Sequence, residues 1–260
     1  MVRRTIAAWV LAAGAATGAW AADAPQPQLY LIHQETPKID RLGEYESTSR
    51  DFLRFLDAHR TAIPHLRFIT FETEEHEFLF VGEIPNLAGV DAINQDFGAV
   101  VQGPDGAQFQ DLYSKGMATV EKVVEWVVEE EPALSYRPAT PRLKPEEAVV
   151  ARYAVYHIQP GKEQEAEAVL QEIAALAKSK SLADGYTVYK TVLGQDTPTY
   201  AVRVDGRSPS DLHTAREKNA AQLGEGVEKS ITHLRSLCRK YEVFYTQVRP
   251  DLSLLRRAGE

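Results

Sequence analysis

Two stretches of this chain resemble each other, and this internal repeat limits the fold more than any other feature. The first reads LYLIHQETPK over residues 29–38, and the second reads YAVYHIQPGK over residues 153–162. Their histidines, His33 and His157, are 124 residues apart, and their prolines, Pro37 and Pro160, are 123 residues apart. A step of this length indicates a duplicated domain rather than a solenoid of short repeats.

A proline-rich segment separates the two copies, with prolines at positions 132, 138, 141 and 145. Proline lacks a backbone N–H and has a restricted φ, so we expect this segment to be an extended linker. The predicted division is a first half at 22–131, a linker at 132–147, a second half at 148–254 and a C-terminal tail at 255–260.

Each half has the hydrophobic pattern of strand, helix, strand, strand, helix and strand. The first half predicts strands at 29–34, 66–72, 77–84 and from Trp126 onward, with helices at 39–59, 87–97 and 109–124. The second half predicts strands at 150–158, 186–192, 199–204 and 242–248, with helices at 164–180, 210–223 and 226–240. The order βαββαβ is that of the ferredoxin-like fold.

The apolar residues of several strands are consecutive, as in YLI at 30–32 and FLFV at 78–81. This pattern is typical of strands that are buried on both faces. Because the helices of a ferredoxin-like unit cover one face of its sheet, we expect the sheet of the other half to cover the second face. The predicted fold is α+β, with two ferredoxin-like βαββαβ halves pairing their sheets into an intrachain α/β barrel. Such a chain completes its own barrel, so we expect a monomer, or a dimer made through another surface, rather than a barrel-completing dimer.

The segment VYHIQPGK at 155–162, followed by a predicted helix, resembles the strand, Pro-Gly-Lys and helix opening of antibiotic-biosynthesis-monooxygenase-like proteins. These belong to the dimeric α/β-barrel superfamily. The resemblance covers about residues 29–254, although the first half has TPK at 36–38, without the glycine. The superfamily includes cofactor-free monooxygenases, haem-binding enzymes and small-molecule isomerases. The resemblance therefore implies a fold and a cavity, but no single reaction.

The first 21 residues have the layout of a secretory signal peptide. A basic start, MVRR, precedes an uncharged stretch at 5–18 and the small-residue pattern AWA at 19–21. A membrane anchor is the alternative, but the apolar stretch is short and is broken by Gly14 and Gly18. We expect a protein exported to the periplasm or secreted, by the general route or by the twin-arginine route suggested by Arg3 and Arg4. No later segment is apolar enough to predict a membrane span.

The net charge of −8, which becomes −10 without residues 1–21, argues against broad affinity for nucleic acid or anionic lipid. The only cysteine, Cys238, cannot form an internal disulfide. Helical spacing predicts that Cys238 lies beside Ile231 and Leu234 as a buried, inert thiol rather than as a nucleophile.

His33 and His157 are the catalytic candidates, because the repeat places both at the end of the first strand of a half. A histidine at a barrel rim can act as an acid, a base or a ligand of a metal or haem. The alternative is a partly solvated histidine at a strand end. Neither has a second histidine at ligand spacing, so we expect no metal site. We also expect no cofactor, with haem as the alternative that the resemblance leaves open.

Four residues of the second half are candidates for ligand binding. If they share the inner face of the sheet, their side chains line a cavity suited to a carboxylate or a phenolate. The alternative is that they lie near strand ends and point to water, since alternation along a strand does not say which face is inward. The four residues are Arg152, Tyr156, Lys190 and Arg203.

Other polar clusters are interpreted as solvated surface rather than as sites. They are the acidic segments 74–77 and 129–131 and the helical group at 213, 216 and 217. The glycine- and proline-containing segment 103–106 predicts a loop, which is either a connection or a lid over a barrel mouth. Phosphate-loop, dinucleotide-binding, zinc-protease and serine-hydrolase motifs do not occur in the sequence.

Three hypotheses for function follow. The first is an exported protein of unassigned role that binds a small, partly apolar ligand in or at the mouth of the barrel. The second is a cofactor-free or haem-dependent monooxygenase-like enzyme. The third is a protein-interaction module whose barrel is filled by side chains, the candidates being Phe68, Phe71, Phe78, Phe80 and Trp126.

Overall fold

The computed structural model describes residues 27–194 and 196–255. The predicted signal peptide at 1–21 and most of the predicted tail lie outside the described residues. Over the described part of the chain, no helix combines the length and the apolar character needed to cross a membrane.

The described chain contains eight strands and six α-helices. The strands are β1 (Leu29–Pro37), β2 (Ile69–Thr73), β3 (Phe78–Ile84), β4 (Val120–Glu130), β5 (Val150–Ile158), β6 (Thr187–Leu193), β7 (Thr199–Gly206) and β8 (Cys238–Val248). The helices are α1 (Leu42–Ala58), α2 (Ala88–Gln102), α3 (Gly106–Ala118), α4 (Glu163–Ser179), α5 (Pro209–Leu223) and α6 (Glu225–Ser236).

The strands form one closed antiparallel barrel in the order β1-β3-β2-β8-β5-β7-β6-β4. Strands β1 to β4 form the sheet of the first half, and β5 to β8 form the sheet of the second. The two sheets join along the β2–β8 and β4–β6 seams. The prediction of two ferredoxin-like halves that close into an intrachain barrel is therefore confirmed.

The alternation of side chains along each strand explains why both faces are apolar. In β1, Tyr30, Ile32 and Gln34 line the interior of the barrel. Leu29 and Leu31 point to the outside, where they pack in a cluster around buried residues of the helical layer and the sheet. Each strand thus serves two cores, one inside the barrel and one beneath the helices.

The last strand of each half begins earlier than predicted. We expect Val120 to Val124 in a helix, but the helix ends at Ala118 and β4 begins at Val120. In the same way, α6 ends at Ser236 and β8 begins at Cys238. The reason is pairing: β1 continues to Pro37, beyond its predicted end, and gives these residues of β4 hydrogen-bonding partners.

Cys238 accordingly lies at the start of a strand rather than on a helix. Its Sγ still contacts the backbone oxygen of Leu234, at 3.2 Å. Burial raises the pKa of the half-buried thiol, which keeps it in the less reactive protonated form.

The β-bulges at the ends of β1 and β5 show how the two halves align in the structure. This alignment differs from that of the sequence repeat. The pair Thr36 and Lys122 precedes the bulge in the first half, and the pair His157 and Lys240 precedes it in the second. The structural counterpart of His157 is therefore Thr36, not His33. Because side chains alternate along a strand, this odd shift of three residues places the two histidines on opposite faces of the wall.

The proline-rich segment packs against the second half. Tyr136 pairs with Tyr186 through two backbone hydrogen bonds, and Arg142 forms ion pairs with Asp184 and Asp211. These contacts give the segment between the two halves a defined course along the barrel.

Candidate functional site

The barrel encloses an open cavity of about 1320 Å³ that both halves line. Every strand contributes inward side chains to it. One example from each strand, in chain order, is Tyr30, Phe71, Leu79, Trp126, Tyr153, Tyr189, Arg203 and Phe244.

The aromatic residues that we expect to fill the barrel do not all point inward. Phe71 and Trp126 line the cavity, and Phe68 lies at its edge. Phe78 points outward and packs on Tyr45, with ring centroids 4.8 Å apart. Phe80 also belongs to this outer cluster. The filled barrel of the third hypothesis is therefore not what the structure contains.

Arg203 occupies the middle of the inner wall. Its guanidinium carbon lies 5.2 Å from the centroid of the Phe71 ring and 5.9 Å from that of Tyr153. Its Nε donates a hydrogen bond of 2.8 Å to Oδ1 of Asp205. Burial opposes the charged form, but Tyr153 and Asp205 outweigh this effect and raise the pKa of Arg203 further above its usual value. The cavity therefore contains a permanent positive charge.

Aromatic rings surround this charge. Tyr153 stacks on Phe244, with ring centroids 5.0 Å apart and planes 12° apart. Tyr30 and Tyr189 meet edge to face at 5.7 Å. Burial, followed by the nearby carboxylate of Glu130, raises the pKa of Tyr30 to about 12. The pKa values of Tyr153 and Tyr189 are also raised by burial, so the phenols are neutral near pH 7.

The other three candidate ligand-binding residues lie outside the barrel. In β5 and β6 the odd-numbered residues face inward, so Arg152, Tyr156 and Lys190 face the helices. Arg152 Nη2 lies 3.4 Å from the hydroxyl of Tyr241, and the Tyr156 ring centroid lies 5.1 Å from that of Tyr241. Lys190 pairs with Glu167 on α4 at 2.9 Å. The predicted group of four does not form, and Arg203 alone of the four faces the cavity.

His157 lies on the inner wall and is buried. Its Nε2 is 2.7 Å from Oε2 of Glu242, and its Nδ1 is 3.1 Å from Oγ1 of Thr199. The Thr199 hydroxyl donates its single proton to the backbone oxygen of Asp196, so it accepts a hydrogen bond from the ring. Burial opposes ionisation of Glu242, but hydrogen bonds from Lys240 and His157 outweigh it and lower the pKa of this carboxyl.

His33 lies on the outer face, beneath the helices. Its Nδ1 is 2.7 Å from Glu125 and its Nε2 is 3.1 Å from Glu35. Glu35 also accepts a hydrogen bond of 2.7 Å from the hydroxyl of Tyr45. Burial lowers the pKa of His33, but the two carboxylates outweigh it and the net shift is upward.

Neither histidine fits the haem alternative. An axial ligand presents a ring nitrogen with a free lone pair to the iron. Both ring nitrogens of His157 have protein partners, and so do both ring nitrogens of His33. The arrangement therefore does not favour haem at either position.

Sequence reasoning missed a third histidine, His65, which borders the cavity. The buried carboxylate of Asp96 accepts hydrogen bonds from the His65 backbone N–H, at 2.9 Å, and from the ring Nδ1, at 3.1 Å. A proton on Nδ1 leaves the lone pair on Nε2, and the described residues provide no hydrogen-bond partner for that atom. His65 and Asp96 are 31 positions apart in the sequence, so no local motif predicts their contact.

The other polar clusters and the loop named from the sequence contribute less to the cavity. Glu74, Glu75 and Glu77 line the cavity edge at the β2–β3 hairpin, whereas His213 and Glu217 form an exposed ion pair on α5. The 103–106 segment is a short connection into α3 and does not border the cavity. Within the two described ranges, no group of three or more histidine, cysteine, aspartate or glutamate side chains could hold a metal ion.

Several solved structures share this architecture. A "putative monooxygenase" from Fusobacterium nucleatum subsp. nucleatum aligns with a TM-score of 0.53 at 10% identity, covering 86% of this chain and 94% of the other. An anthrone oxidase-like protein aligns with a TM-score of 0.52 at 12% identity, covering 86% and 92%. A chlorite dismutase from Candidatus Nitrospira defluvii, in complex with imidazole, aligns with a TM-score of 0.50 at 12% identity, again covering 86% and 92%.

No protein-family model and no curated protein sequence matches the chain. At identities of 10–12%, the structural neighbours establish the fold and not the activity. In this chain the shared fold is a closed barrel of eight strands built from two ferredoxin-like units. The chain therefore shares the fold of these structures, with two ferredoxin-like βαββαβ halves in tandem that close one barrel.

Proposed function

We propose that this chain is an exported protein that binds a small, partly apolar molecule inside its barrel. The observation that carries the proposal is the cavity of about 1320 Å³, whose wall is mostly aromatic and aliphatic and contains one central cation, Arg203. Ligand pockets typically have roughly 300–1,000 Å³, apolar walls and a few placed polar groups. The export part of the proposal rests on the signal-like residues 1–21.

Native mass spectrometry of the mature protein, purified from its export compartment, tests this function. We expect a native mass above the mass of the chain, and we expect the excess to disappear on denaturation. A bare chain mass under native conditions contradicts the proposal.

A pair of tryptophan variants separates ligand in the barrel from ligand elsewhere. Ala201 lines the cavity, whereas Val192 lies on the outer face of the neighbouring strand β6 and is 38% exposed. We expect Ala201→Trp to remove the bound mass because the indole fills ligand space. Val192→Trp should retain the bound mass. Retention of the ligand by both variants contradicts a site in the barrel.

The second candidate function is a cofactor-free, monooxygenase-like enzyme. The observation that favours it is His65, which borders the cavity with a 58% exposed side chain whose Nε2 has no hydrogen-bond partner among the described residues. In such a reaction a base removes a proton from a substrate CH2 group, and the carbanion then reacts with O2. One oxygen atom becomes a substrate carbonyl and the other leaves as water, so the substrate supplies all the electrons. We expect the ligand released from the native protein to support oxygen uptake by wild type but not by His65→Gln. Equal uptake by the two proteins contradicts this role.

A further inference from the structure

The free edge of the Arg203 guanidinium is the best defined polar group inside the cavity. A guanidinium has two edges that can each hold a carboxylate in a bidentate manner. Asp205 accepts from Nε and so occupies one edge. One fifth of the Arg203 side chain is exposed, although the residue lies in the middle of the inner wall. Arg203 lines the cavity, and the Tyr153 hydroxyl interacts with its guanidinium. The Nη1 and Nη2 edge can meet a ligand beside that hydroxyl.

The aromatic side chains next to Arg203 favour a flat ligand. Tyr153 pairs with Arg203 across β5 and β7, and its ring stacks on Phe244 of β8. Phe71 lies under the guanidinium from the opposite sheet, across the β2–β8 seam. These rings flank the guanidinium, so the ring of a ligand whose carboxylate reaches Arg203 lies against an aromatic wall.

The charges at the cavity edge limit the charge of the ligand. Glu74, Glu75 and Glu77 line the mouth at the β2–β3 hairpin, and Glu83 lies at the other end of β3. Glu242, which is paired with Lys240, also lines the cavity. Arg67 and Lys122 line it as well, but acidic side chains outnumber basic ones along the wall. These carboxylates repel polyanions such as phosphate esters, whereas a single carboxylate can be neutralised by Arg203. The Asp205 partner of Arg203 is one third exposed, so solvent screens its repulsion of a second carboxylate.

We propose that the barrel cavity binds a planar aromatic monocarboxylate, with the carboxylate on the free edge of Arg203 and the ring against Phe71 and Tyr153. This inference rests on the proposed binding function and names the chemical class of the ligand.

Calorimetric titration with 2-naphthoate and its neutral isostere 2-naphthamide tests the inference. We expect 2-naphthoate to bind about 10-fold to 100-fold more tightly than the amide, as a hydrogen bond to a charged group implies. Arg203→Gln should abolish this preference, and Arg203→Lys should keep part of it because the charge remains while the bidentate edge is lost.

Arg152→Gln is the matched control, because Arg152 lies on the neighbouring strand β5 but faces the helices. It should retain the full preference for the carboxylate. Circular dichroism and thermal unfolding establish that each variant is folded, and Arg203→Lys keeps the test valid if Arg203→Gln does not fold. Equal affinity for naphthoate and naphthamide, or an unchanged preference in the Arg203 variants, overturns the inference.

The failure of this inference differs from a failure of the proposed function. If neither naphthalene probe binds while native mass spectrometry detects a molecule that Ala201→Trp expels, the ligand class is wrong and the binding function stands. If neither probe binds and the native mass is bare, both are wrong.

Discussion

His33 and His157 occupy the same place in the sequence repeat, yet their side chains point to opposite faces of the barrel wall. His157 lies inside, between Glu242 and Thr199, and His33 lies outside, between Glu35 and Glu125. The β-bulges align β1 with β5 at an offset of 121 residues, whereas the two histidines are 124 residues apart. Duplication has therefore preserved the fold without preserving a pair of equivalent histidines.

The Asp96–His65 contact predicts the tautomer of His65. Since Nδ1 donates to Asp96, the neutral ring should carry its proton on Nδ1 and its lone pair on Nε2. Long-range ¹H–¹⁵N spectra of the imidazole nitrogens measure this directly. In Asp96→Asn the preference should be lost, and the protein should be less stable by about 1–3 kcal/mol because the hydrogen bonds to a buried carboxylate are replaced.

The matched control for His65 is His213, whose partner Glu217 is as exposed as the histidine itself. Glu217→Gln should leave both the His65 signals and the stability unchanged. A wild-type His65 ring with its proton on Nε2 contradicts the assigned geometry.

The raised pKa of His33 predicts a pH-dependent contribution to stability. A group whose pKa is higher in the folded state stabilises that state at low pH, and the contribution is lost as the pH rises through the folded-state pKa. Urea unfolding should therefore show His33→Gln to be less stable than wild type at pH 5.5, by up to about 1 kcal/mol. At pH 8.5 the difference should be smaller. A difference that grows with pH contradicts the prediction, and His213→Gln is the control.

The lowered pKa of Asp251 predicts a contribution to stability with the opposite pH dependence. Its hydrogen bond from Arg249, which outweighs the effect of burial, lowers the pKa of this carboxyl to about 2. The ion pair stabilises the folded state above about pH 4 and is lost as the pH falls towards 2. Asp251→Asn should thus lower the free energy of unfolding at pH 7, by about 1 kcal/mol or less because the carboxylate is partly exposed. The two proteins should converge near pH 2 in an acid titration, and a constant offset contradicts the assignment.

The closed barrel predicts a monomer. Each sheet covers the face that would otherwise need a partner chain, since the β2–β8 and β4–β6 seams both form within one chain. Light scattering coupled to size-exclusion chromatography of the mature protein should give the mass of a single chain. A concentration-independent mass of two chains contradicts this expectation.

Export predicts a mature N-terminus at Ala22. Intact mass and N-terminal sequencing of the protein from its export compartment should show loss of residues 1–21, which follow the signal pattern up to Ala21. Replacing Ala21 with arginine should block cleavage and leave the full chain in the membrane fraction. Recovery of uncleaved wild type with Met1 intact contradicts the prediction.

The repeat and the runs of consecutive apolar residues were sufficient to predict the barrel. A strand such as β3, with Phe78, Leu79, Phe80 and Val81 in succession, has to be buried on both faces whatever its neighbours are. Local composition therefore determined that each half is ferredoxin-like and that its open sheet face must be covered. The start of the last strand in each half was harder to predict from the sequence. Val120 to Val124 fit a helix as well as a strand, and only pairing with β1 decides between them.

The site depended on tertiary structure for two physical reasons. The inward face of a strand is set by register, and a bulge or an odd shift in the repeat moves every side chain to the other face. Arg203 therefore enters the cavity, whereas Arg152, Tyr156 and Lys190 do not. The pairing of His65 with Asp96 depends on how α2 packs beside the loop before β2, and no sequence spacing encodes that contact. Composition and periodicity determined the barrel, and strand register and helix packing decided which side chains line it.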